Sequence, residues 1–86
     1  MRQAIVTKFF GPTNTRGSRI KATCGAGSLY HSWDYSLGSD ANHDAAAKAL
    51  ATKLGWIGAW YAGGMPNEDG NCYVWSTDAT DIAFHV

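Results

Sequence analysis

The amino-acid sequence predicts an α+β fold, in which one alanine-rich helix packs on a curled antiparallel sheet within a single small domain. With 86 residues, the chain is long enough for one hydrophobic core and no more. Several short segments alternate apolar and polar residues with a period of two, which is typical of half-buried strands. A single segment, residues 40–54, changes to a helical period. The expected order is β-β-β-α-β-β, with a further short strand at the end.

A basic hairpin is expected over residues 3–24. In its first strand, Ile5, Thr7 and Phe9 share one face, and the opposite face carries Val6, Lys8 and Phe10. In its second strand, the inward residues Ile20, Ala22 and Cys24 alternate with Arg19, Lys21 and Thr23. The basic side chains are therefore predicted to face solvent. A loop from Gly11 to Gly17 joins the two strands.

A third strand is predicted over Leu29 to Tyr35, followed by the helix over about residues 40–54. Ser39 or Asp40 is expected to cap the helix, and Gly55 to end it. Its inward stripe is predicted to pack on four residues of the sheet. The stripe comprises Ala46, Ala47, Leu50 and Leu54, and its expected contacts are Ile20, Ala22, Trp33 and Val74.

The remainder is predicted to form a C-terminal hairpin over about residues 56–76 and a tail over residues 77–86. Ile82, Phe84 and Val86 are expected on one face of a last strand in the tail. Because alanine leaves a thin helix surface, large rings from the sheet are expected to fill the space beneath it.

The net charge of zero conceals a marked asymmetry. Residues 1–21 contain five basic residues and no acid, whereas residues 22–86 contain two basic and seven acidic residues. This distribution argues against a uniformly acidic nucleic-acid mimic and against a generally basic nucleic-acid-binding domain.

The other patterns predict neither a cofactor nor a metal site, and no membrane partner. Cys24 and Cys72 are expected to be free thiols in a cytoplasmic protein, with a disulfide as the alternative. The three histidines lack metal-ligand spacing. His31, Asp34 and Ser36 are the residue types of a hydrolytic triad, but His31 and Asp34 should point to opposite faces of one strand. We therefore expect no enzymatic activity.

Two surfaces are candidates for partner binding. The basic hairpin offers fixed positive charge beside neutral hydrogen-bond donors; its candidate residues are Lys8, Asn14, Thr15, Arg16, Arg19 and Lys21. The alternative is an ordinary solvated strand face with a turn-forming loop. An aromatic interface is the second candidate, formed by whichever of Trp60, Tyr61, Tyr73 and Trp75 lie outside the core.

The segments TKFFGPTNTRGSRIKA, SWDYSL, NHDAAAKALATKLGW and YVW resemble a family of small uncharacterised proteins carried by bacterial plasmids and prophages. The resemblance extends to Trp75 and implies no catalytic residue. By genetic setting and size it implies an anti-defence role, as in anti-CRISPR proteins. The expected function is thus inhibition of a host defence complex, or another nucleoprotein complex, by direct binding. The alternative is a small nucleic-acid-binding accessory protein that uses the basic hairpin.

Overall fold

The computed structural model describes residues 4–12, 14, 17–66, 70–76 and 83–86. It has the predicted α+β architecture, with one helix and an antiparallel sheet in the order β-β-β-α-β-β and a two-residue strand at the end. The strands are β1 (Ile5–Phe10), β2 (Arg19–Cys24), β3 (Gly27–Ser32), β4 (Ala59–Gly64), β5 (Asn71–Ser76) and β6 (Phe84–His85). The helix α1 spans Ser39–Lys53.

The sheet joins the two predicted hairpins through their first and last long strands. Its spatial order is β3-β2-β1-β5-β4-β6, and each neighbouring pair is antiparallel. The β1–β5 junction is short, with Ile5 opposite Tyr73 and Val6 opposite Cys72. The helix covers one face and packs against β1, β2 and β3 most extensively. No helix among the described residues is long and apolar enough to cross a membrane.

Alanines on the helix and large rings on the sheet form the core. Ala46, Ala47, Leu50 and Ala51 are fully buried, as are Trp60 and Tyr73 opposite them. Trp60 stacks between Trp56 and Phe84, with centroid separations of 6.1 and 6.0 Å. The rings fill the space that the small side chains leave, as the sequence predicts.

The C-terminal end of the helix was predicted correctly, whereas the N-terminal cap was not. At the C-terminus, Gly55 has a φ of 72°, and Trp56 N–H donates to Ala51 O in a Schellman motif. At the N-terminus, the predicted cap is wrong, because the capping position is Gly38 and no side chain caps it. The buried Asn42 instead joins the first turn to the preceding loop. Its Nδ2 donates to Gly38 O and Asp34 O, and its Oδ1 accepts from Asp34 N–H.

The end of the third strand and one inward assignment were also predicted wrongly. The third strand ends at Ser32 rather than Tyr35, because Asp34 begins a turn in which it accepts hydrogen bonds from Ser36; Tyr35 is 82% exposed. Val74 is exposed on the outer face, because its neighbour Tyr73 occupies the inward position of β5. Of the predicted last strand, Phe84 and Val86 pack on the core, whereas Ile82 lies outside the described residues.

Both cysteines are free, as predicted. Cys24 follows the inward residues Ile20 and Ala22, whereas Cys72 pairs with Val6 and so lies on the outer face. Since one strand separates them and their side chains point to opposite faces, a disulfide between them would require the sheet to rearrange.

Candidate functional site

The outer face of the sheet, opposite the helix, carries a compact group of basic and aromatic side chains. We call it the basic face and define it as Lys8, Phe10, Arg19, Lys21 and Tyr30. The strand alternation places all five on the side away from the core. The register then brings them together, with Lys8 opposite Lys21, Lys21 opposite Tyr30, and Phe10 opposite Arg19.

Arg19 lies between two rings at the centre of this face. Its guanidinium carbon is 5.4 Å from the ring centroid of Phe10 and 5.4 Å from that of Tyr30. The two rings are themselves 6.0 Å apart in an edge arrangement. Arg19 Nη1 donates to Gly17 O at 3.4 Å, whereas Nε is buried and has no hydrogen-bond partner among the described residues. These contacts fix the direction of the positive charge before any partner binds.

The two lysines of the basic face flank this arginine. Lys8 Nζ lies 5.6 Å from the Phe10 centroid, and Lys21 Nζ lies 5.5 Å from the Tyr30 centroid. Their backbone positions are directly opposite each other in the β1–β2 ladder. Like charges in that relation repel, at a cost of about 0.2 to 1 kcal/mol. The face therefore concentrates positive charge at a small expense in stability.

Acidic side chains lie elsewhere in the described part of the chain. The strands β1, β2 and β3 contain no Asp or Glu. The described acids, Asp34, Asp40 and Asp44, belong to the loop before the helix and to the helix itself. Among the described residues, the basic face thus adjoins no acid of its own strands, and the three described acids lie before and on the helix.

The predicted basic surface is assembled only in part by the described residues. Lys8, Arg19 and Lys21 converge on the basic face, and Asn14 is exposed in the loop between β1 and β2. Thr15 and Arg16 lie outside the described residues. Sequence reasoning did not select Phe10 and Tyr30 as site residues. The two-residue alternation could have identified both, because it places Phe10 on the same face as Lys8 and Tyr30 on the face opposite the inward residues of β3.

Two of the four candidates for the aromatic interface belong to the core. Trp60 and Tyr73 are fully buried beneath the helix and cannot contact a partner. The β1–β5 register places Tyr73 opposite the buried Ile5, and the β4–β5 register places Trp60 opposite Trp75, on the same face of the sheet as Tyr73. Trp75 is 39% exposed, and Tyr61 is partly exposed on the opposite face from Trp60. Because Tyr61 and Trp75 belong to different faces, they do not form one surface.

The helix side of the sheet contains a buried polar network centred on Thr7. Thr7 Oγ1 lies 2.7 Å from His43 Nδ1, accepts from Asn71 N–H at 3.2 Å and donates to Asn71 O at 3.3 Å. His43 is only 6% exposed, and burial lowers the pKa of its imidazole despite the nearby carboxylates of Asp40 and Asp44. His43 is therefore neutral at pH 7.

Tyr73 connects this network to the helix. Its hydroxyl donates to Asp44 Oδ1 at 2.5 Å and accepts from Asn71 Nδ2 at 3.2 Å. Burial and the hydrogen bond to Asp44 raise the pKa of Tyr73. Asn71 Nδ2 also approaches Asp40 Oδ1, at 3.4 Å. The start of β5 is thus held to the helix by hydrogen bonds that the sequence pattern did not predict.

An open cavity of about 520 Å³ lies beside this network, at the N-terminal end of the helix. We call it the helix-side cavity; its walls include Phe9, Trp33, Asp40, His43 and Asn71. Phe9 shares the face of β1 that carries the buried Ile5 and Thr7 but is 43% exposed, since its ring forms a wall of the cavity. The rings of Phe9 and Trp33 meet at 76° with centroids 4.9 Å apart.

The remaining chemical candidates are dispersed. Asp34 accepts hydrogen bonds from Ser36, chiefly from its hydroxyl, and these lower the pKa of the carboxyl. His31 Nδ1 lies 3.0 Å from Ser32 O. Within the described ranges, no group of three or more His, Cys, Asp or Glu side chains is placed to hold a metal ion.

Comparison of the chain with models of known protein families, with curated proteins and with solved structures finds no significant match.

Proposed function

We propose that this protein is a non-enzymatic, cytoplasmic accessory protein that inhibits a host defence complex, or another nucleoprotein complex, by binding to it directly through the basic face. The observation that carries the proposal is the arrangement around Arg19, whose guanidinium is held between Phe10 and Tyr30 while Lys8 and Lys21 add charge on either side. The choice of a defence complex rests on the resemblance to proteins of mobile elements.

Charge and geometry both support an anionic partner. Three cations occupy adjacent positions on β1 and β2, and neither these strands nor β3 contains an acid, so a phosphate chain or an acidic surface gains several contacts at once. The side chains project from a sheet rather than from a loop, and Arg19 is oriented before binding. A partner therefore does not have to order them, and less conformational entropy is lost on binding.

The alternative, direct binding to a nucleic acid, is favoured by the aromatic residues. Tyr30 is 49% exposed, and an exposed ring beside several cations is the combination used by proteins that stack the bases of single strands. The net charge of zero argues against tight binding of free nucleic acid, because it weakens long-range attraction. We therefore expect weak binding to bare strands and tight binding to a protein or nucleoprotein partner.

Fluorescence anisotropy with labelled single strands and duplexes of RNA and DNA, and with a labelled polyglutamate peptide, separates these alternatives. Each phosphate contact to a single strand lowers the logarithm of the association constant by about 0.7 for each unit increase in log salt concentration. Contacts from three cations therefore predict a slope of log K against log salt of about −2. A pull-down from host lysate, with nuclease treatment in a parallel sample, tests the nucleoprotein partner. Submicromolar binding to free RNA or DNA at physiological salt would establish the alternative.

A matched pair of double variants controls for net charge. Lys8→Gln with Lys21→Gln removes two cations from the basic face, and Lys48→Gln with Lys53→Gln removes two from the helix. The first pair should reduce partner capture by at least about tenfold, and the second should leave it unchanged. Equal effects of the two pairs would show that only net charge matters and would overturn the assignment of the basic face.

A further inference from the structure

A further open cavity lies at the end of the sheet where β2 begins and β3 ends. Its volume is about 450 Å³, and we call it the strand-end cavity. Its walls include three aromatic rings, two hydroxyls and one cation, from Tyr30, Trp33, Tyr35, Ser18, Ser32 and Arg19. No carboxylate belongs to these walls, so no acid of the lining neutralises the arginine.

Arg19 is the fixed cation of the strand-end cavity, and most of its hydrogen-bonding capacity is unused. A guanidinium has five N–H donors. In the described part of the chain, the hydrogen bond that Arg19 makes is the 3.4 Å contact of Nη1 with Gly17 O. Ser32 lies directly opposite Arg19 in the β2–β3 ladder, and its hydroxyl has no partner among the described residues. Because opposed side chains share a face of the sheet, a cation and a hydroxyl lie side by side for an incoming acceptor.

Tyr35 gives the strand-end cavity an exposed aromatic wall. The turn at Asp34 ends β3 before Tyr35, and the Tyr35 hydroxyl donates to Ser18 Oγ at 3.4 Å. This hydrogen bond connects the turn to the start of β2, but it does not account for a ring that is 82% exposed. Tyr30, another wall of the cavity, is 49% exposed. Exposed rings beside a cation suit a ligand that combines a planar base with an anionic group.

We propose that the strand-end cavity binds a single nucleotide, with its phosphate hydrogen-bonded to Arg19 and Ser32 and its base stacked on Tyr35. Phosphate suits this arginine because a guanidinium fork binds two phosphate oxygens at once. The base suits the tyrosine because every nucleobase has a face that stacks on an aromatic ring. The inference rests on the proposed function for the source of the nucleotide, which is the nucleic acid of a nucleoprotein partner.

Titration of the 15N-labelled protein with adenosine monophosphate tests the site by NMR. Adenosine, which lacks the phosphate, and ribose phosphate, which lacks the base, are the matched control ligands. We expect saturable shifts of the Trp33 indole and of the Ser18 and Ser32 amides with the nucleotide. Each control ligand should bind at least about tenfold more weakly. No saturable shift up to about 10 mM nucleotide, or equal affinity for ribose phosphate, would overturn the site.

Two variants test the two halves of the site separately. Tyr35→Ala removes an exposed ring and should weaken nucleotide binding by about fivefold or more, while binding of ribose phosphate stays the same. Arg19→Gln should weaken nucleotide binding by about tenfold or more. Lys48→Gln, which removes one charge from the helix, is the matched control and should change the affinity by less than about twofold. Unchanged affinity in Tyr35→Ala, with an intact amide spectrum, would show that no base stacks there.

Two further ligands distinguish the sources of the phosphate. A short single strand with a terminal phosphate should bind more tightly than the mononucleotide, since it adds contacts to the basic face. Equal affinity would assign the cavity to free nucleotides and overturn the link to a nucleoprotein. Tighter binding of phenyl phosphate than of the nucleotide would indicate a phosphotyrosine and overturn the assignment of a base.

The cavity and the proposed function fail separately. If the wild type captures its partner but binds no nucleotide, the strand-end cavity is overturned and the basic face is not. If Lys8→Gln with Lys21→Gln retains full partner capture, the role of the basic face is overturned, whereas nucleotide binding at Tyr35 still supports the cavity.

Discussion

The basic face and the helix-side cavity are built from opposite sides of the same strand, yet they differ in almost every physical respect. On β1, Lys8 and Phe10 contribute to the basic face, whereas Phe9 lines the cavity and Thr7 belongs to the hydrogen-bonded network beside it. The basic face presents donors and positive charge on open sheet. The cavity is lined by two aromatic rings and by polar residues, of which His43 and Asn71 belong to a buried hydrogen-bonded network. One six-residue strand therefore contributes to two surfaces of different chemistry.

The fold depends on the buried network around Thr7 more than on the basic face. Residues of the buried polar network centred on Thr7 hold β1, β5 and the helix together. Substituting them should therefore lower the free energy of unfolding. Residues of the basic face contact one another and solvent, and their backbone positions include a repulsive lysine pair. Changing them should affect binding far more than stability. Three substitutions test this division, in order of decreasing expected effect on the free energy of unfolding.

Gly70→Ala should be the most damaging. A Cβ at this position would lie 1.8 Å from Thr7 O, and Gly70 has a φ of 157°. The chain must therefore shift where β5 meets β1, at an expected cost of about 3 kcal/mol or more, measured by urea unfolding. Gly63→Ala is the control, because a Cβ there would have no heavy atom within 4 Å. Similar stability of the two variants would show that the close contact between Gly70 and Thr7 does not exist.

Thr7→Val should have an intermediate effect. Valine has the same shape but leaves His43 Nδ1 and Asn71 N–H without their partner in a buried site. The expected loss is about 1 to 3 kcal/mol in the free energy of unfolding. Thr23→Val, on the exposed outer face of β2, is the matched control and should change stability by less than about 0.5 kcal/mol. If both variants were equally stable, the buried network would contribute nothing to the fold.

Lys21→Gln should change stability least, by no more than about 0.5 kcal/mol. It removes a cation–π contact with Tyr30 and relieves the repulsion with Lys8; the two effects are of similar size, about 0.2 to 1 kcal/mol, and opposite in sign. Added salt screens the repulsion, so it should stabilise the wild type more than the variant. A loss above about 1 kcal/mol in urea unfolding would mean that the basic face is part of the scaffold.

Local patterns were sufficient to predict which segments form helix or strand, but not every residue at which these elements begin and end. The alanine run and Gly55 predicted the helix and its C-terminal motif, because both signals act within a few residues. The N-terminal cap was wrong because a residue three positions into the helix, Asn42, satisfies the loop carbonyls instead. Tyr35 was assigned to β3 because the alternation continues to that residue, although the turn at Asp34 ends the strand earlier.

Local sequence patterns were enough to predict the α+β order and the two faces of each of the first two strands, since a period of two assigns alternate residues to opposite faces. It therefore separated Lys8 from Thr7 and Arg19 from Ile20. Which residues meet across the strands depends on the folded arrangement. The β1–β2–β3 register placed Arg19 between Phe10 and Tyr30, and the β1–β5 junction brought Thr7 to Asn71 and His43. Register depends on hydrogen bonds and packing between distant segments, and a one-residue shift would change every such contact while leaving the local pattern intact.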